Sequence, residues 1–193
     1  MYSLVLDPSA LIPCGEKSEE DKEAIRKLGN LLCNVRHVTI FFSSYLIEIY
    51  RTKVVPSLKV HCPLPHFQAG LFSLLHRLRT YSTASRGFLC KTKSTESGVK
   101  FHILERSRVM KYDVDRIGLT EEEDKEVLRV ALASAHQETF LITTDRHFLE
   151  NINWTELLRR YPNEAKKVKI VKPSDPDLMN TLIANIIVDK IKE

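Results

Sequence analysis

Four short runs of strand-forming residues, separated by stretches with helical spacing, constrain this chain more than any other feature. The runs are Ser-Leu-Val-Leu at 3 to 6, His-Val-Thr-Ile-Phe-Phe at 37 to 42, Thr-Phe-Leu-Ile-Thr at 139 to 143, and Val168 to Val171. Between the first two, Ala24, Ile25, Leu28, Leu31 and Leu32 share one helical face, in a helix expected from an N-cap at Ser18 to Asn34. After the second run, Tyr45 to Val55 reads as a helix that Pro56 ends. Thr120 and Glu123 have capping-box spacing, and Val127, Leu128, Ala131, Leu132 and Ala135 give the helix that follows an apolar face. Arg146 to Leu158 predicts one or two helical segments, and Asp175 to Lys192 a closing helix. Strands alternating with helices predict an α/β fold, with a parallel sheet covered on both faces and joined by right-handed crossovers.

The middle of the chain breaks this rhythm. Phe67, Leu71, Leu74, Leu75, Leu78 and Tyr81, with His76, Arg77 and Arg79 beside them, predict a basic amphipathic helix. Residues 82 to 98 are rich in Ser, Thr, Lys and Gly and read as a loop. Val99, Phe101 and Ile103 alternate with Lys100 and His102, which predicts a short exposed strand or hairpin. Residues 51 to 111 hold twelve basic side chains against Glu96 and Glu105, a balance of +10, so the rest of the chain carries −6 of the overall +4. Such a block suits a phosphate-bearing partner, because each cation that displaces condensed counterions adds affinity for nucleic acid. A solvated basic surface is the other reading. The candidate nucleic-acid contacts are Arg51, Lys53, Arg77, Arg79, Arg86, Lys91 and Lys93. The whole reads as one domain over residues 1 to 193, with a basic elaboration at about 56 to 112 and a C-terminal helix at about 175 to 192.

No segment approaches the roughly 20 apolar residues that span a bilayer. The start, Met-Tyr-Ser-Leu-Val-Leu-Asp, has neither the basic residues nor the long apolar run of a secretory signal, so a cytoplasmic protein with no membrane partner is expected. Cys14, Cys33, Cys62 and Cys90 contain no CxxC pair, which speaks against a disulfide framework and against zinc.

Chemistry in an open parallel sheet sits beyond the carboxyl ends of the strands. Two runs end there in a carboxylate, Asp7 after Leu4 to Leu6 and Asp145 after Phe140 to Thr144. Either acid alone reads equally as a turn or helix cap. Glu48 lies in Tyr-Leu-Ile-Glu-Ile-Tyr, a helical stretch with little apparent solvent face. Burying a carboxylate there costs several kcal/mol unless it is paired, with Arg51 for instance, or bound to a cation. Asp124 follows Glu121, Glu122 and Glu123, and first-turn acids stabilise a helix without further function. Leu128 and Ala131, four and seven residues on, put Asp124 at the edge of the buried face, whereas Glu122 shares a face with Lys125, Glu126 and Arg129. A set of carboxylates is what hard divalent cations such as Mg²⁺ or Mn²⁺ select.

With these residues in that order, the chain resembles the PIN domain. The resemblance rests on Asp7-Pro8-Ser9-Ala10-Leu11 after a strand, Glu48 in the helix after the second strand, Leu119-Thr120 leading to Asp124, and Thr143-Thr144-Asp145-Arg146-His147-Phe148. It spans residues 3 to about 172. It implies a three-layer α/β/α sandwich around a central parallel sheet, and a Mg²⁺- or Mn²⁺-dependent ribonuclease like the family's toxins and RNA-processing enzymes. Asp7, Glu48, Asp124 and Asp145 would then form the catalytic, metal-binding cluster, with Ser9 and Thr143 orienting the carboxylates or bound water. The implied partner is RNA, single-stranded or structured, and for a toxin-type member an antitoxin-like protein inhibitor. The 76-residue step from Glu48 to Asp124 is longer than in compact toxins, and the run Glu121 to Asp124 leaves the third acid open among those four. A PIN-like module that binds RNA or protein without cleaving is the alternative function. The stripe Leu178, Leu182, Ile183, Ile186, Ile187 and Ile191 fits either core packing or a homodimer contact.

Overall fold

The computed structural model describes residues 2–13, 15–32, 35, 38–57, 88–89 and 100–190. The expected middle helix, and with it Arg77, Arg79, Arg86, Lys91 and Lys93, lies outside the described residues; of the expected loop at 82 to 98 only Phe88–Leu89 is described, and it is a strand and not loop. The strands are β1 (Tyr2–Leu6), β2 (Val38–Ser43), β3 (Phe88–Leu89), β4 (Lys100–Leu104), β5 (Thr139–Ile142) and β6 (Val168–Val171). The helices are α1 (Glu19–Leu32), α2 (Ser44–Ile49), α3 (Arg106–Val109), α4 (Glu122–Ser134), α5 (Arg146–Glu150), α6 (Trp154–Arg160), α7 (Pro162–Ala165) and α8 (Pro176–Lys190). They form an α/β fold on one sheet of order β3-β4-β2-β1-β5-β6, parallel except for β3, which runs antiparallel to β4.

β1 is an inner strand with a parallel neighbour on each side. Leu4, Val5 and Leu6 are completely buried, which is why the run is continuously apolar and not alternating. From β1 the sheet grows through β2 and β4 on one side, and through β5 and β6 on the other. In open α/β sheets such a reversal marks the crevice that takes ligands, which here falls beyond the carboxyl ends of β1 and β5. α4 lies against β1, β2 and β5, and buries every residue from Glu126 to Ser134.

Arg129 and Glu126 are charged, and both are buried in α4. Arg129 pairs with Glu122, with Glu126 at 3.7 Å and with Asp115 at 3.7 Å, while Lys125 reaches Asp115 at 3.1 Å. The network ties the segment before α4 to the helix. Gly118 lies in that segment with φ +89°, and a Cβ there would overlap the Asn151 carbonyl oxygen. The same loop is stitched by the Asn153 N–H, which donates to the Ile117 carbonyl at 3.0 Å.

α1 packs with α8, whose Leu178 and Leu182 are completely buried within the chain. These two positions of the C-terminal stripe therefore serve the core, and residues beyond 184 have no described side chains. Ser18 accepts from the Asp21 N–H at 3.1 Å, as an N-cap should.

Four local expectations are corrected. Residues 99 to 103 read as a short exposed strand or hairpin; β4 is a strand there and pairs antiparallel with β3, but it is an inner strand, held by β2 on its other side. Pro56 does not end the helix after β2: a π-helical turn, Tyr50–Val54, follows α2, and residues 55–57 are helical again. Val55 is itself helical and its N–H donates to the Tyr50 carbonyl, so the helix runs on through Pro56 without a break. Thr120 and Glu123 form no capping box, because α4 begins at Glu122 and its N-cap Glu121 has no side-chain cap bond. α7, opened by Pro162, was not expected at all.

Candidate functional site

Asp7 follows the last residue of β1, and its N–H continues the pairing with β5 by donating to the Ile142 carbonyl at 2.9 Å. Pro8 then starts a 3₁₀ turn, Pro8–Leu11, that is closed by the Ala10 N–H donating to the Asp7 carbonyl at 2.9 Å. This tight turn carries Ser9 back toward the carboxylate. The Asp7 side chain is 3% exposed, and its Oδ2 accepts from the Ser9 hydroxyl and from the Thr143 hydroxyl at 2.7 Å. Burial pushes the Asp7 carboxyl up to about 7, against the two hydroxyls that favour its charged form, and the negative charges of Asp124 and Asp145 raise it further.

The loops after β1 and β5 are bonded into one unit. The Thr144 N–H donates to Ser9 Oγ at 3.0 Å, and the Thr144 hydroxyl donates to the Ser9 carbonyl at 3.2 Å. Thr143 Oγ1 accepts the Asp145 N–H at 2.9 Å. Thr143 therefore touches one acid by donating and positions another by accepting. Asp145 itself is half-buried.

Asp124 enters from α4. It is buried in the first turn, while Glu121 and Glu122 are exposed and Glu123 turns aside to pair with Lys53. The helix phase thus buries Asp124 more deeply than the other three acids of the run, as Leu128 and Ala131 indicate. Its position near the helix N-terminus offsets part of the cost of its burial.

Glu48 departs from its expected environment. The Ser43 hydroxyl caps α2 by accepting the Leu46 N–H at 3.2 Å, and this start sets a phase in which Leu46, Ile47, Ile49 and Tyr50 face the core. Tyr45, Glu48 and Thr52 are left outside. The Glu48 side chain is 57% exposed and pairs with Arg51 at 2.8 Å, so it carries no burial cost that a cation must offset. The structure brings Asp124 and Asp145 each within electrostatic reach of Asp7, and leaves Glu48 with Arg51 in solvent.

Of the seven candidate nucleic-acid contacts, Arg51 and Lys53 are described, and both are exposed and paired with acids. One residue of the site escaped sequence reasoning. Tyr50 is completely buried, and its phenol donates to the carbonyl of Leu6, the residue before Asp7. At an apolar position of a helix it reads as core, and a bond to a backbone carbonyl leaves no trace in sequence.

The donor set, carboxylate oxygens with hydroxyls behind them, suits a hard cation. Among the described residues no group of three or more His, Cys, Asp or Glu side chains is close enough to hold a metal ion between them, so the acids are neighbours and not a closed cage. Among the described residues, too, no helix is long and apolar enough to cross a membrane. Comparisons of the chain with protein-family models, with curated proteins and with solved structures each return no match.

Proposed function

We propose that this chain is a PIN-like nuclease that hydrolyses RNA phosphodiester bonds with Mg²⁺ or Mn²⁺ at the crevice beyond β1 and β5. The observation that carries the reading is Asp7: a buried carboxyl at the end of an inner strand, pushed up to about 7, with two further aspartates adding like charge. Such a group is at odds with its surroundings unless it is protonated or meets a cation. Asp7, Asp124 and Asp145 would hold the ion, and a closed cage is not required, since Mg²⁺ typically takes one or two carboxylates and completes its shell with water and phosphate. When bound, the metal supplies activation of water and neutralises charge on the leaving oxygen. Ser9 and Thr143 fix the Asp7 carboxylate by donating to its Oδ2, and Thr143 also holds the Asp145 backbone. No side-chain nucleophile is required. The test is cleavage of mixed RNA with Mn²⁺: Asp7→Asn should abolish it while leaving the fold intact, and full activity of that variant, or of the wild type in excess EDTA, overturns the reading.

The solvent-facing Glu48 favours a second reading, a PIN-like module that binds RNA or protein without cutting. That module would bind RNA equally well with Mn²⁺ or EDTA and would cleave none.

A further inference from the structure

Tyr45 is the most exposed aromatic side chain among the described residues, at 47%. It stands in the first turn of α2, directly after β2, and the parallel pairing of β2 with β1 sets it at the edge of the sheet that carries Asp7. The apolar neighbours Leu46, Ile47 and Ile49 take the core side of the helix, so the ring is held outward by the packing of the residues around it. Two turns along, Lys53 is 64% exposed and pairs with Glu123, the residue before Asp124. The Lys53 ammonium is held in its charged form chiefly by that bond to Glu123, with the Tyr45 phenol and Glu121 adding to it. An open ring, an accessible cation and the acids of α4 thus lie along one stretch of surface.

We propose that Tyr45 is a stacking platform for an unpaired base, in a single strand whose phosphates pass Lys53 on the way to the Asp7 crevice. The inference rests on the nuclease reading and narrows it to single-stranded substrate. In a duplex both faces of each base are already covered, so the ring has nothing to stack against. Every base has a π-face, so the contact selects for strand state and not for sequence. Lys53, whose side chain is the exposed member of its pair with Glu123, supplies a point charge for a phosphate.

The test is binding without cleavage, by the full chain carrying Asp7→Asn in EDTA, to a short single-stranded RNA labelled with 2-aminopurine and to the matching duplex. The expected result is tighter binding of the single strand, with quenching of the base fluorescence. Tyr45→Ala should weaken binding roughly 5- to 150-fold, the equivalent of one stacked base. Tyr45→Trp should restore it. Equal affinity of the Tyr45→Ala variant, or loss of binding with Tyr45→Trp as complete as with alanine, overturns the proposal. Absence of any RNA binding overturns it as well. The nuclease reading fails separately: wild-type protein that binds and stacks a base yet cleaves nothing with Mn²⁺ leaves Tyr45 a binding residue of a non-catalytic module. Wild-type protein that cleaves while Tyr45→Ala binds normally removes the platform and keeps the nuclease.

Discussion

The Tyr50 phenol donates to the Leu6 carbonyl, one residue before the buried carboxyl of Asp7. The pairing of β1 with β2 registers Tyr2 to Leu4, whereas its pairing with β5 continues to Leu6 opposite Ile142. Tyr50 thus takes hold of β1 on the β2 side, where the ladder has stopped. The phenol is the anchor, and the ring packs edge-on against Phe42 at 5.5 Å.

Tyr50→Phe keeps that ring contact and removes the donor. A buried carbonyl left without its bond costs about 1 to 3 kcal/mol. Urea unfolding should show the free energy fall by that amount, as a lower midpoint at an unchanged slope.

Asp7 makes stability depend on pH in the opposite direction from an ordinary salt-bridged acid. Its folded pKa, about 7, lies above the usual 3.8, so the native state binds the extra proton. Stability is full below about pH 4, declines as pH rises toward 7, and is flat above, with a total loss on the order of 4 kcal/mol. Asp7→Asn should abolish this slope and exceed the wild type in stability at pH 8. Chemical denaturation at pH 5 and pH 8 measures both effects.

A cation competes with that proton. Mn²⁺ should raise the melting temperature of the wild type more at pH 8 than at pH 6, and should leave Asp7→Asn unmoved. An equal shift in the variant would place the bound metal elsewhere.

Glu48→Gln removes an exposed ion pair with Arg51, for a stability change of about 0 to 1 kcal/mol. If Asp7, Asp124 and Asp145 hold the metal, this variant should retain most of the cleavage that Asp7→Asn and Asp124→Asn lose. Side-by-side rates on one RNA decide it.

Gly118→Ala asks for a left-handed backbone with a side chain that meets the Asn151 carbonyl. A loss of several kcal/mol is expected from strain and overlap together. Relief would come only from moving the loop that leads into α4, so reduced Mn²⁺ affinity should accompany the drop in melting temperature.

Strands β1, β2, β5 and β6 were legible because each is a local apolar run, and Asp7 and Asp145 because each directly follows such a run. Asp124 was legible through helix phase, since Leu128 and Ala131 report its burial. Glu48 was misjudged for the same kind of reason in reverse. Five apolar neighbours in six residues suggested burial all round, yet the Ser43 cap sets a phase that gives this short helix an exposed face at Tyr45, Glu48 and Thr52. The inner position of β4 and the bond from Tyr50 to Leu6 depend on partners far away in the chain, which spacing does not encode.

The bonds between Ser9 and Thr144 join positions 135 residues apart. During synthesis β1 and Ser9 emerge well before the neighbouring strand β5 and the Thr143 hydroxyl that completes the seat of Asp7. Until then one edge of an inner strand carrying the buried run Leu4 to Leu6 has no partner, and the nascent chain carries the aggregation risk of such an edge. The acids cannot assemble on a partial chain either, so whatever this crevice does begins only once nearly the whole domain has left the ribosome.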